Sequence, residues 1–153
     1  INNGVVPGKD EQLQVVLGEG MEIIVKDGAA WVQGRYYRND SPKTLAVPEA
    51  DPSLARIDRI VLRLDLNINE RKIEAIIKQG TPAENPAAPE LQQDVLIYEF
   101  LLYQYTVEAG ATAPSDLWDE RTYLVANRIG SLGGYRVYEI KIISGSLAIE
   151  EVS

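Results

Sequence analysis

Ile60, Leu62, Leu64 and Leu66 fall on every second position, and so do Ile73, Ala75 and Ile77. Side chains two apart on a strand point to the same face, so each run reads as a strand with one apolar side. A turn over Asn67 to Glu70 joins them into a hairpin. Pairing Leu66 with Arg71 sets Leu64 against Ile73, Leu62 against Ala75 and Ile60 against Ile77, which collects the apolar set on one face. A slip of one residue would turn that set into water, so the pattern dictates the register. The same register predicts Arg63 opposite Glu74 and Asp65 opposite Lys72, as structural ion pairs on a soluble outer face. Exposed pairs of this kind contribute only about 0.2–1 kcal/mol each. Their expected use is solubility and resistance to edge pairing.

The rest of the chain reads as more short strands. Leu13–Leu17 and Met21–Val25 are separated by Gly18-Glu19-Gly20. Asp27-Gly28 is a dipeptide that tight two-residue hairpins prefer, and it predicts a second hairpin setting Ile24 near Trp31 and Ile23 near Val32. Arg35–Arg38 and Lys43–Val47 are further strands, with a turn at Asn39-Asp40-Ser41-Pro42. Pro82, Pro86 and Pro89 forbid a helix or a central strand, so residues 81–91 read as an extended surface crossover. A helix is an alternative for Leu91–Tyr98.

Tyr98–Val107 is apolar on both alternating faces, which suits a strand buried on two sides or a subunit contact. Ser115–Asp119 reads as a turn or a single helical turn. Tyr135–Ile143 and Leu147–Val152 read as closing strands. Many short strands with Gly/Pro turns predict an all-β fold, an antiparallel sandwich or barrel-like domain with few or no helices. Residues 1–128 are expected to form that domain. Residues 129–153 are expected to be a C-terminal strand segment, in the same domain or linking to a further region.

With 153 residues the chain is long enough to bury a core without staples. It has neither Cys nor His. That excludes a disulfide framework, a thiol nucleophile, a Cys/His zinc site and a Ser-His-Asp triad. No apolar run approaches the roughly 20 residues needed to cross a bilayer as a helix, so no membrane insertion is expected. The net charge of −8 comes from one stretch. Gln79 to Glu120 holds 8 acidic residues and no Lys or Arg, while the other 15 acidic residues balance the 15 basic ones. Nucleic acid, which needs a basic face, is not an expected partner.

Chemistry-bearing constellations are few. Asp58 and Asp65 differ by an odd number of positions, so they face opposite sides of one strand. Asp116, Asp119 and Glu120 lack the spacing of a calcium loop and read as turn and cap residues. Asp119 and Glu120 with Arg121, and Arg56 with Asp58, read as ion pairs that fix the chain locally. Trp31, Tyr36 and Tyr37 are candidates for a subunit interface or a sugar-stacking platform, with core packing or a subunit interface the expected fate of Trp31, and adjacent Tyr36 and Tyr37 cannot share a face. Unassigned carboxylates are all that favours a wall-degrading hydrolase. No catalytic residue, metal or cofactor is expected.

An ordered series of stretches resembles one family. Asn-Gly-Val-Val-Pro-Gly from Asn3, Leu13–Val16, Gly20-Met21, Asp27–Asn39, Arg56–Leu66, Lys78–Leu91, Tyr98–Thr112 and Asp116–Tyr123 occur in this order. Together they are similar to a domain of phage tail and baseplate structural proteins from phages and prophages of Gram-positive bacteria. The likeness spans roughly residues 2–125, and its specific part is RIDRIVLRLD combined with GTPAENPAAP. The resemblance implies a non-enzymatic virion component that anchors a receptor-binding or fibre-like region and is made in the bacterial cytoplasm. It implies other tail proteins as partners, a homo-oligomer with a trimer favoured, and an additional segment before Ile1. Departures lie at Leu124–Ile142, where the family commonly has a short Cys-Gly stretch. A host cell-wall glycan is the alternative partner, through Trp31, Tyr36 or Tyr37.

Overall fold

A computed structural model describes residues 3–8, 12–124, 137–143 and 146–152. Every regular element among them is a strand: β1 Gly4–Val5, β2 Val15–Leu17, β3 Glu22–Val25, β4 Gly28–Val32, β5 Arg35–Asn39, β6 Lys43–Ala46, β7 Arg56–Asp65, β8 Lys72–Lys78, β9 Ile97–Val107, β10 Ser115–Asp119, β11 Val137–Ile143 and β12 Ser146–Val152. Their sheets are antiparallel: β1-β4-β5, β2-β3-β6 and β10-β9-β7-β8, with β11 and β12 pairing as a hairpin. One hydrophobic cluster draws on all three larger sheets, with Val5 and Val32, Ile23 and Val25, and Ile60, Leu62 and Leu64 among its members. The fold is sandwich-like and is not a closed barrel. The predicted boundary at residue 128 lies outside the described residues.

The β7–β8 hairpin has the register that its alternation dictates: Leu64 faces Ile73, Leu62 faces Ala75, Ile60 faces Ile77, Arg63 faces Glu74 and Asp65 faces Lys72. Its ion pairs differ from expectation. Arg63 Nη1 pairs with Glu99 of β9 at 3.1 Å, and Lys72 Nζ pairs with Glu70 and Glu74 of its own strand and turn. Asp65 accepts hydrogen bonds from the Asn67 backbone and side chain. The cause is the neighbouring strand, because β9 runs along the other side of β7 and sets Glu99 directly opposite Arg63.

Asp27-Gly28 does not make a hairpin. β3 pairs with β2 and β6, while β4 pairs with β1 and β5, so the chain switches sheets at that dipeptide. The tight turn lies at Gln33-Gly34, where φ of 50° and 75° matches the twist that two-residue hairpins require. Gly28 serves a close approach: a Cβ there would come within 2.4 Å of the Leu13 amide, which itself donates to the Asp27 carbonyl.

β9 is not buried on two equal apolar faces. Ile60 pairs with Tyr103 and Val61 with Leu101, leaving Leu102 as an extra residue in a bulge. The bulge shifts the phase of the strand. Phe100 before it and Tyr103 and Tyr105 after it therefore all lie opposite the apolar side of β7, at Leu62, Ile60 and Asp58. The Leu102 carbonyl accepts from the Glu120 amide, next to residues 115–119, which form β10 rather than a turn.

No helix forms over Leu91–Tyr98. The crossover, outside regular structure apart from a bridge between Ala83 and Ala55, touches the charged side of the four-stranded sheet. Arg59 donates to the Pro89 carbonyl at 2.9 Å, the Gln92 amide donates to the Glu99 carboxylate at 2.6 Å, and Gln93 donates to the Glu99 carbonyl. Glu99 and Val61 are consequently fully buried. The expected outer face is therefore half covered.

Candidate functional site

Three charged clusters are structural by geometry. At the start of β7, Arg56 and Asp58 are 1 % and 0 % exposed. Arg56 Nε donates to Asp58 Oδ1 at 2.9 Å, and its Nη1 and Nη2 donate to the Glu49 and Pro48 carbonyls. Asp58 also accepts from the Gly80 amide and the Tyr105 hydroxyl, each at 2.9 Å. Burial, then the charge and hydrogen bond of Asp58, push the Tyr105 phenol far above its ordinary pKa.

Buried Glu99 forms the second cluster, accepting from Lys78, Arg63 and the Gln92 amide. The third joins Arg121 to Asp119 at 2.7 Å; of the two expected acidic partners Asp119 pairs with it, and Glu120 makes no ion pair with it. Arg121 also donates to the Gln12 carbonyl and lies over the rings of Tyr103 and Tyr123, 5.3 and 5.5 Å from their centroids. Burial alone would raise the Asp119 pKa, but the hydrogen bonds and charge of Arg121 outweigh it and hold the carboxyl below its usual range. In all three clusters the carboxylates are occupied by donors from this chain. Among the described residues no three acidic side chains converge as metal ligands, and no helix is long and apolar enough to cross a membrane.

A surface feature of another kind is a groove of about 690 Å3 between β5 and the β7–β8 hairpin. Two tight turns build it. The Gln33-Gly34 turn delivers Arg35, Tyr36, Tyr37 and Arg38 along β5, which is the edge of its sheet. The turn after Asn67 delivers Arg71, itself in the left-handed region at φ 42°, and Lys72. Leu64, Leu66 and Ile73 supply the apolar part of the lining.

Tyr36 and Tyr37 take opposite faces of their sheet, Tyr36 across from Trp31 and Tyr37 across from Ala30. Both still reach the groove, because it follows the strand's free edge. Trp31 does not line it and stands against Tyr36, with ring centroids 5.3 Å apart and planes tilted by 56°. Tyr36 is 49 % exposed. Burial, then the nearby charge of Glu74, raises the Tyr37 pKa.

Sequence reasoning named the two tyrosines and missed the four cations beside them. The signal was the spacing of the charges around two turns, and the Gln33-Gly34 turn was hidden by the stronger dipeptide at Asp27-Gly28. The fold thus defines an all-β, antiparallel, sandwich-like domain in which the buried carboxylates of Asp58 and Glu99 are hydrogen-bonded within the chain, with a cation-lined groove at its surface. The chain matches no protein-family model, no curated protein and no solved structure.

Proposed function

We propose that this chain is a non-enzymatic structural component of a phage tail or baseplate, one that functions by docking and anchors a receptor-binding region. One observation carries the reading: the two stretches most specific to the resemblance, RIDR and GTP, meet in a single buried cluster through Asp58 and Gly80. Residues that far apart in sequence serve one scaffold, and every carboxylate in it is committed to holding the chain. Such an architecture suits a part that bears load in an assembly better than one that turns over a substrate.

On this reading the protein acts in the virion after synthesis in the bacterial cytoplasm. Its partners are other tail proteins and copies of itself, a trimer being favoured. The test is to purify particles from the strain that encodes the chain and to locate it by mass spectrometry and immunogold labelling. Labelling at the tail tip is the expected result, and particles that lack the chain overturn the proposal. Light scattering of the purified protein tests the trimer, which a monomer at high concentration excludes.

A second reading is a carbohydrate-binding module for host cell-wall glycans. The half-exposed Tyr36 ring, backed by Trp31, favours it, because an amphipathic ring held in place stacks on a sugar face with little loss of rotamer entropy. Specific signals on a glycan array that disappear in Tyr36→Ala support this reading.

A further inference from the structure

We propose that the groove between β5 and the β7–β8 turn binds an acidic saccharide, a sugar ring that carries carboxylate or phosphate. The inference rests on the carbohydrate-binding reading of Tyr36 and narrows it to a ligand class and a set of contacts.

Charge is the first argument. The chain carries −8 overall, yet Arg35, Arg38, Arg71 and Lys72 line this groove, and no carboxylate lines it with them. Two of the four cations are already engaged, Arg38 with Asp40 and Lys72 with Glu70 and Glu74. The other two are free of acids. Arg35 donates only to the Gln33 carbonyl, and the exposed Arg71 guanidinium has no partner among the described residues. By contrast Arg56, Arg63 and Arg121 are paired with carboxylates and Arg59 is tied to Pro89. Among the described residues the two arginines without an acidic partner or a long-range tie, Arg35 and Arg71, therefore both line the groove. A guanidinium fork matches a carboxylate or phosphate with two parallel hydrogen bonds.

Shape and lining are the second argument. About 690 Å3 lies within the size range of ligand clefts. Tyr36, Tyr37 and the aliphatic side chains of Leu64, Leu66 and Ile73 offer surface for the C–H face of a pyranose. An acidic peptide is the competing occupant, and it would gain most of its affinity by adding a strand to a sheet edge. The β8 edge is obstructed, because Lys43 Nζ donates to the Ala75 carbonyl at 3.3 Å, whereas the β5 edge that the groove follows is free among the described residues, so hexaglutamate is the control for strand addition there. What favours a sugar is the half-exposed Tyr36 ring beside the aliphatic lining, a stacking surface that a strand does not need. The lining thus favours a ring with a charged substituent over a strand.

The test is calorimetric titration of the whole chain at low and at physiological salt. The probes are trigalacturonate for carboxylate, glucose 6-phosphate for phosphate, neutral trigalactose and hexaglutamate. Binding of at least one acidic sugar, about tenfold or more tighter than trigalactose and about tenfold weaker in Arg35→Gln/Arg71→Gln, is the expected result. Which probe binds distinguishes carboxylate from phosphate recognition. Both side chains are exposed, Arg35 at the start of β5 and Arg71 in the β7–β8 turn, and an unchanged melting temperature confirms that the variant is folded.

Equal affinity for trigalactose, or no effect of the double substitution, overturns the acidic ligand and leaves the glycan reading standing. No binding of any of the three sugars at about millimolar concentration overturns both. Hexaglutamate binding as tightly as the acidic sugars overturns the proposal in favour of a peptide.

Discussion

Asp58 Oδ1 accepts the backbone N–H of Gly80 at 2.9 Å, joining the start of strand β7 to the start of the proline crossover 22 residues later. The approach is so close that a Cβ on Gly80 would lie 1.9 Å from the Ile57 carbonyl oxygen. Backbone has to move to admit any side chain there. Gly80→Ala is expected to lower stability by several kcal/mol, at the upper end of the roughly 0.5–3 kcal/mol typical of point mutations or beyond it. Asp58→Ala leaves Arg56 buried without its counter-ion, which costs about 3–5 kcal/mol. Urea denaturation of both variants checks this, and an unperturbed Gly80→Ala midpoint would contradict the crossing.

Glu99 and Glu74 separate the two accounts of Arg63. Both face it across β7, one on each neighbouring strand, but Glu99 is fully buried while the Glu74 side chain is 39 % exposed. Glu99→Gln removes the charge that Lys78 and Arg63 share and is expected to cost about 2–4 kcal/mol, whereas Glu74→Gln changes stability by less than about 1 kcal/mol. Comparable losses in the two variants would return Arg63 to Glu74.

The same contrast explains what was legible in the sequence. Alternation from Ile60 to Ile77 is a local signal with one buried face, and it determined the β7–β8 register residue by residue. Ion-pair partners depend on which strand lies on the far side of β7, and nothing local reports that. The Leu102 bulge is likewise invisible in a run apolar at almost every position, because inserting one residue exchanges one apolar face for the other. At the groove the aromatic residues were legible and the cations were not: Arg35 and Arg71 meet only because two turns, far apart in sequence, lie side by side in the fold.

Those turns make a prediction in which stability and binding move in opposite directions. Arg71 sits at φ 42° and Gln33 at φ 50°, conformations that an L-residue adopts at a cost of about 1–2 kcal/mol and that Gly or Asn tolerates more easily. Arg71→Gly is expected to raise stability by about 0.5 kcal/mol, net of the larger entropy that Gly loses on folding, while weakening the acidic sugar. Gln33→Asn is expected to stabilise by a similar amount, since Asn-Gly is a preferred pair for such a turn, and to leave sugar binding unchanged. Thermal melts and titrations on the same samples check both.

Buried tyrosines set the alkaline limit of the fold. Burial and then Asp58 raise the Tyr105 pKa, and burial pushes Tyr103 up to about 12. An unfolded tyrosine releases its proton near pH 10, so above that pH the unfolded state binds fewer protons than the folded one. The contribution of these groups is fully present below about pH 10 and is lost as the pH rises. Tyr105→Phe removes one titration and one donor to Asp58. It is expected to lower stability at pH 7 by about 1–3 kcal/mol and to make the decline above pH 10 shallower. The acid limb has the opposite sign: Asp119, whose folded pKa is depressed, contributes above its unfolded value of about 4, and that contribution is lost as the pH falls. Asp119→Asn should therefore flatten the acid limb, and because the charge and hydrogen bond of Asp119 also help to raise Tyr103, it should make the alkaline decline slightly shallower as well. Urea midpoints measured from pH 3 to pH 11 separate the two limbs, and an alkaline decline of the same slope in wild type and Tyr105→Phe would remove Tyr105 as its cause.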